Sequence, residues 1–118
     1  MPHAVYVDRN GLEVFSVPGP HSAEPNGHHY EVRFLTRTAH KTISIDFQEG
    51  PVKTFGLNGV TNEALLAILI DRTKVLNDAF PCEENEVALT HMWDALRSLE
   101  ARTARRVATG LEGQMKES

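Results

Sequence analysis

Apolar and polar residues alternate along the first half of the chain and recur every three or four positions along the second. Ala-Val-Tyr-Val at 4 to 7 and Leu-Glu-Val-Phe-Ser-Val at 12 to 17 have strand character, and Asn10-Gly11 between them supplies the positive φ of a tight turn. Residues 3 to 17 are therefore expected to form a hairpin. The run from 18 to 29, Pro-Gly-Pro-His-Ser-Ala-Glu-Pro-Asn-Gly-His-His, has turn residues at nearly every position and no apolar period, which predicts a loop. Strand character returns at Tyr30 to Arg37 and at Lys41 to Phe47, where Ile43, Ile45 and Phe47 alternate with Thr42, Ser44 and Asp46. A short fifth strand is expected at Val52 to Phe55. Parallel strands need long crossovers, so strands this close together predict an antiparallel sheet.

The period changes after Gly56. Thr61 or Asn62 can cap a helix, Glu63 suits its first turn, and Leu65, Leu66, Ile68, Leu69 and Ile70 give more apolar surface than one face uses. That helix is expected to be buried on two sides, against the sheet and against a second helix, and to close at Asn77 to Phe80. The second helix is expected from about Cys82 to Val107. Leu89, Met92, Leu96 and Leu99 make one seam along it, Thr103 extends the line, Trp93 lies off its centre in a second contact, and Gly110 stops it. The predicted fold is α+β: a small N-terminal antiparallel β-sheet packed on a C-terminal two-helix antiparallel hairpin. Its organisation is a single domain over 1–118, with a β-rich layer at 1–57, the hairpin at 61–107 and a tail at 108–118.

Composition narrows the function classes. With 118 residues the core is modest, so oligomerisation would add to it. A net charge of -4 argues against a general DNA or RNA binder. No apolar run approaches the roughly 20 residues that span a bilayer. The N-terminal Met-Pro-His-Ala-Val-Tyr-Val-Asp is not a secretory signal, and a cytoplasmic protein is expected. Cys82 is the single cysteine; a packed thiol is the favoured reading, a local contact the other.

Candidate chemistry is sparse. No phosphate loop, nucleophile elbow or metal-spaced histidine pair occurs, so no catalytic residue, metal or cofactor is assigned. His28 and His29 lack further ligands nearby, and an exposed loop pair is the simpler reading. Gly59 before the first helix fits either a plain turn or a phosphate cradle. Glu83, Glu84 and Glu86 crowd the start of the last helix and Arg97, Arg102, Arg105 and Arg106 its end, a pattern that complementarity to the helix dipole also explains. Arg102 and Arg106 lie one turn apart on one face; they are either solvated helix-end charges or a pair able to hold one pyrophosphate. Asn85 and Arg102 are seventeen positions apart, roughly 25 Å on a straight helix. No small ligand easily touches both on one chain, whereas two antiparallel copies bring them together, so the spacing suggests a site made by a dimer.

The run Asp-Phe-Gln-Glu-Gly-Pro-Val-Lys-Thr-Phe-Gly-Leu-Asn-Gly-Val-Thr-Asn-Glu-Ala-Leu-Leu-Ala-Ile-Leu-Ile-Asp-Arg at 46 to 72 is followed by Pro-Cys-Glu-Glu-Asn at 81 to 85. Glu-Ala-Arg-Thr comes at 100 to 103 and Gly-Leu-Glu-Gly at 110 to 113. In order and spacing these motifs resemble the phage Thoeris anti-defence sponge family, whose helical hairpin is shared with the phage anti-CBASS sponge. The resemblance implies a protein that sequesters glycocyclic ADP-ribose without cleaving it, assembled as dimers or hexamers with the ligand between protomers. It places the family's binding asparagine on Asn85 and its two arginines on Arg102 and Arg106, with Thr103 beside them. The family's base-stacking aromatic falls on Leu76, and Phe80 can substitute if the interhelical loop brings it close. Glu83 stands where an arginine often follows Pro-Cys, and Gln114 where the closing threonine stands. The alternatives are a sponge for cyclic di- or trinucleotides, a hydrolase of the same signal, and a phage module with no ligand.

Overall fold

A computed structural model describes residues 2–108. The chain divides into two compact units, residues 2–49 with Leu57–Val60, and Gly50–Gly56 with residues 61–108. The architecture is α+β, a four-stranded antiparallel sheet followed by helices, the last two of which form a hairpin.

The sheet runs β1 (His3–Val7), β2 (Glu13–Ser16), β3 (His29–Leu35), β4 (His40–Asp46), in that spatial order. Its register follows from the alternation in the sequence. Val14 pairs with Val32 and Val32 with Ile43, while Ser16 pairs with Tyr30 and Tyr30 with Ile45, so these residues share one face. The other face carries Phe15, Glu31 and Arg33; the Arg33 guanidinium lies 4.2 Å from the Phe15 ring centroid and is bonded to Glu31 at 2.8 Å. β1 and β2 form the expected hairpin, and Gly11 supplies the positive φ of its turn, at 88°. The Asp8 carboxylate accepts from the backbone N–H of Asn10 at 2.8 Å and of Leu12 at 3.0 Å, and the Asp8 carbonyl from Gly11 N–H at 3.1 Å, which together hold the loop.

The expected fifth strand at Val52 to Phe55 is absent. Those residues form α1 (Val52–Phe55), a single turn whose Thr54 and Phe55 N–H groups donate to the Pro51 carbonyl at 3.1 and 2.9 Å. Pro51, with φ -63°, starts a helical turn more readily than a strand, and four residues of weak alternation do not outweigh it. The segment that does pair is Val60, which makes a parallel bridge with Phe47. Here Gly59 lies against the backbone of Asp46 and Phe47, where a Cβ has no room, so close backbone approach accounts for the glycine.

In the other unit α2 (Asn62–Ala79) begins at Thr61, whose hydroxyl oxygen accepts from Ala64 N–H at 3.1 Å. It packs on α3 (Glu83–Ala108). Along the facing stripe the half-buried or buried positions on α2 are Glu63, Leu66, Ile70, Thr73 and Asn77, and on α3 Asn85, Leu89, Met92, Leu96, Leu99, Thr103 and Arg106, with Leu65, Ala88 and Arg102 half-buried beside it. Alternating steps of three and four keep one seam facing the partner helix, the geometry of a short coiled coil. At its centre Ile70 is 5% and Leu96 8% exposed. Within this unit α3 covers one stripe of α2, and Ile68, Leu69 and Val75 lie outside it. Trp93 lies off the seam as expected, 44% exposed, with the Arg97 guanidinium 5.7 Å from its ring centroid.

Between the helices the Asn77 side-chain oxygen accepts from Cys82 N–H at 2.9 Å. This places Cys82 in the turn, and its thiol is exposed rather than packed. Acidic residues occupy the first turn of α3 and Arg105 and Arg106 its last, in keeping with the helix dipole. The expected stop at Gly110, the position of Gln114 and all but the first residue of the 108–118 tail lie outside the described residues.

Candidate functional site

The hairpin distributes the residues singled out in the sequence over its two ends. At the turn end stand Leu76 and Phe80, late on and just past α2, and Asn85, early on α3. Leu76 is 44% and Phe80 80% exposed, while Asn85 is half-buried. The Asn77 bond to Cys82 and the Phe80 N–H donating to the Leu76 carbonyl at 2.9 Å hold this turn. What it offers is an open apolar surface beside an amide.

At the other end the last turns of α3 carry Arg102, Thr103 and Arg106, all half-buried. Thr103 donates its hydroxyl proton to Glu63 Oε2 of α2 at 2.9 Å, a bond that spans 40 positions of sequence. Arginine is mostly exposed in folded proteins, so two half-buried arginines one turn apart on one helix stand out, each with a planar set of donors. Such forks match phosphate and carboxylate oxygens. The two ends stay apart within the chain: seventeen residues of helix separate Asn85 from Arg102, roughly 25 Å. Asn85 and Arg102 thus lie at opposite ends of α3, and Asn77 and Glu63 are the α2 residues that shape those ends. Glu63 is legible in hindsight as a first-turn acid facing the seam, at the 3–4 spacing that leads to Leu66 and Ile70.

The β unit holds a second feature that the sequence reading missed. A cleft of about 330 Å³ is lined by Pro20, His21, His29, Asp46, Phe47, Glu49 and Asn58. Inside it His29 Nδ1 lies 2.7 Å from Asp46 Oδ1 and its Nε2 3.0 Å from Glu49 Oε1. The expectation of an exposed loop pair fails for His29, which opens β3 and whose side chain is only 14% exposed. Antiparallel register sets Asp46 opposite His29, and the ring packs against Gly19, where any Cβ would collide with it. Hydrogen bonding to Asp46 raises the pKa of His29 above the ordinary histidine value; burial opposes this, and the bond to Glu49 adds to it. Asn58 closes the loop beneath: its side chain accepts from Glu49 N–H at 2.9 Å and donates to the Glu49 carbonyl at 2.8 Å. Among the described residues no cluster of three or more His, Cys, Asp or Glu side chains is arranged to hold a metal ion.

Comparison with known proteins follows the same part of the chain. Residues 39–104 match the family described as Acb2/Tad1, hairpin domain. Over 76 residues the chain is 45% identical to "Thoeris anti-defense 1" of Bacillus phage SBSphiJ7, a stretch covering 64% of this chain and 54% of that protein. The chain therefore spans about half the length of the curated relative it matches. Because the family match takes in more than half of the 118 residues, α2 and most of α3 included, this chain belongs to the Acb2/Tad1 hairpin-domain family.

Proposed function

We propose that this protein is a phage anti-defence factor that binds and sequesters a cyclic ADP-ribose-type immune signal, glycocyclic ADP-ribose, without cleaving it. It thereby inhibits Thoeris immunity in the cytoplasm of the infected bacterium. The observation that carries this reading is the half-buried pair Arg102 and Arg106 at the end of α3, in a chain whose relative is named for Thoeris anti-defence. Arginine forks neutralise a pyrophosphate through charge-assisted bonds. Asn85 supplies amide hydrogens, Leu76 and Phe80 supply apolar contact to the base, and Thr103 lies next to the phosphate site.

Since Asn85 and the arginines are far apart in one chain, the complete pocket is formed between protomers of a dimer or hexamer. The exposed Ile68, Leu69, Val75, Val87 and Trp93 support self-association, because a lone hairpin leaves this apolar surface in water. No nucleic acid, membrane or cofactor enters the reading, and no helix among the described residues is long and apolar enough to cross a membrane.

Thermal unfolding with glycocyclic ADP-ribose tests it. The ligand raises the Tm of the native protein, and Arg102→Ala and Arg106→Ala remove that shift while sedimentation shows the same oligomer. Undiminished protection in both variants overturns the site. The family is described for two proteins, so cyclic di- and trinucleotides belong in the same assay; a shift with those alone identifies a sponge of CBASS signals instead.

A further inference from the structure

A threonine hydroxyl has one proton to give and lone pairs with which to accept. The Thr103 proton is committed to Glu63 Oε2 at 2.9 Å, so toward any third group Thr103 offers lone pairs alone. The Glu63 carboxylate is likewise an acceptor, and both side chains are half-buried at the seam between the helices. Arg102 and Arg106 lie within about one helical turn of Thr103, ~5.4 Å along the axis, and guanidinium groups have donors and no acceptor. One end of the hairpin therefore presents two opposite chemistries side by side.

We infer that Glu63 and Thr103 form a specificity-determining pair that accepts a hydrogen bond from a ribose hydroxyl of the ligand while Arg102 and Arg106 take its phosphate oxygens, an inference that rests on the nucleotide reading of this end. A bare pyrophosphate satisfies the arginines but carries no ribose hydroxyl for Thr103 and brings negative charge toward Glu63. A ribosyl phosphate meets both demands within one unit. Glu63 thus does two things: it fixes the direction of the Thr103 hydroxyl, and it disfavours anions that lack a neighbouring donor. The cost of leaving a half-buried acceptor without a donor is what separates the two ligand classes.

The test is a calorimetric comparison of glycocyclic ADP-ribose with inorganic pyrophosphate on the full chain. The native protein prefers the former. Glu63→Gln and Thr103→Val each reduce the ratio of the two affinities by roughly tenfold or more, and Thr103→Ser, which keeps the hydroxyl, preserves it. Glu63→Gln in addition tightens pyrophosphate. Helicity by circular dichroism confirms folding, and if Thr103→Val does not fold, Glu63→Gln reads the same ratio. An unchanged ratio in folded Glu63→Gln, with binding still lost in Arg102→Ala, overturns the pair and leaves the nucleotide site standing. Binding of both probes undiminished by Arg102→Ala overturns the site and the pair together.

Discussion

His29 and Asp46 face each other across β3 and β4, with Nδ1 of the ring 2.7 Å from the carboxylate, and the opposite ring nitrogen faces Glu49 at 3.0 Å. Only the imidazolium form donates to both carboxylates; a neutral ring turns a lone pair toward one of them. The folded pKa is raised above the unfolded value. The stabilisation is therefore fully present below the unfolded pKa of about 6.5 and is lost as pH rises through the raised folded value. Proton NMR of the His29 ring gives a titration midpoint above that of a free histidine, and Glu49→Gln lowers it. A midpoint at or below the free value means the ring is not held between the two acids.

The hairpin depends on a narrow seam. Leu96→Ala and Ile70→Ala each remove one of its two most buried apolar side chains, and each costs about 2–3 kcal/mol in urea unfolding followed by helicity. A change below roughly 0.5 kcal/mol, the usual effect at an exposed position, would show that the seam is not the core of this unit.

Thr61→Ala removes the side-chain acceptor of the Ala64 N–H and costs α2 about 1 kcal/mol. Thr61→Asn restores most of it. Equal melting of Thr61→Ala and the native protein would mean that solvent caps the helix just as well.

Leu76 is 44% exposed, so replacing it with an aromatic side chain changes the surface and not the core. Leu76→Phe supplies the π-face that stacking on a base uses, worth about 1–3 kcal/mol, and is expected to tighten glycocyclic ADP-ribose roughly tenfold or more. Calorimetry decides this, and weaker binding than in the native protein moves the base away from Leu76.

Long periodic segments were legible in the sequence: the 3–4 spacing from Leu89 to Leu99 gave α3, and alternation at 41 to 47 gave the face of β4. The hairpin was legible as well, because Gly11 supplies the positive φ that its turn requires. Val52 to Phe55 was not: there the preceding proline set a helical turn. The apolar surplus of α2 was legible too, but composition does not say what covers the part that lies outside the α3 stripe. Among candidate site residues, Arg102 and Arg106 stood out by spacing, which fits solvated helix-end charges as well as a phosphate pair. His29 with Asp46, and Glu63 with Thr103, lie 17 and 40 positions apart. Finding such pairs requires the strand register or the helix pairing, neither of which a lone residue pattern supplies.

Capture without cleavage is tested by recovery of the signal. The protein is incubated with glycocyclic ADP-ribose, unbound ligand is removed, the complex is denatured, and the released nucleotide is analysed by mass and for its power to activate a Thoeris effector. A sponge releases a molecule of unchanged mass and full activity, retained in stoichiometric amount by the native protein and not by Arg102→Ala. A product of altered mass that accumulates over repeated turnovers would contradict it and identify a hydrolase.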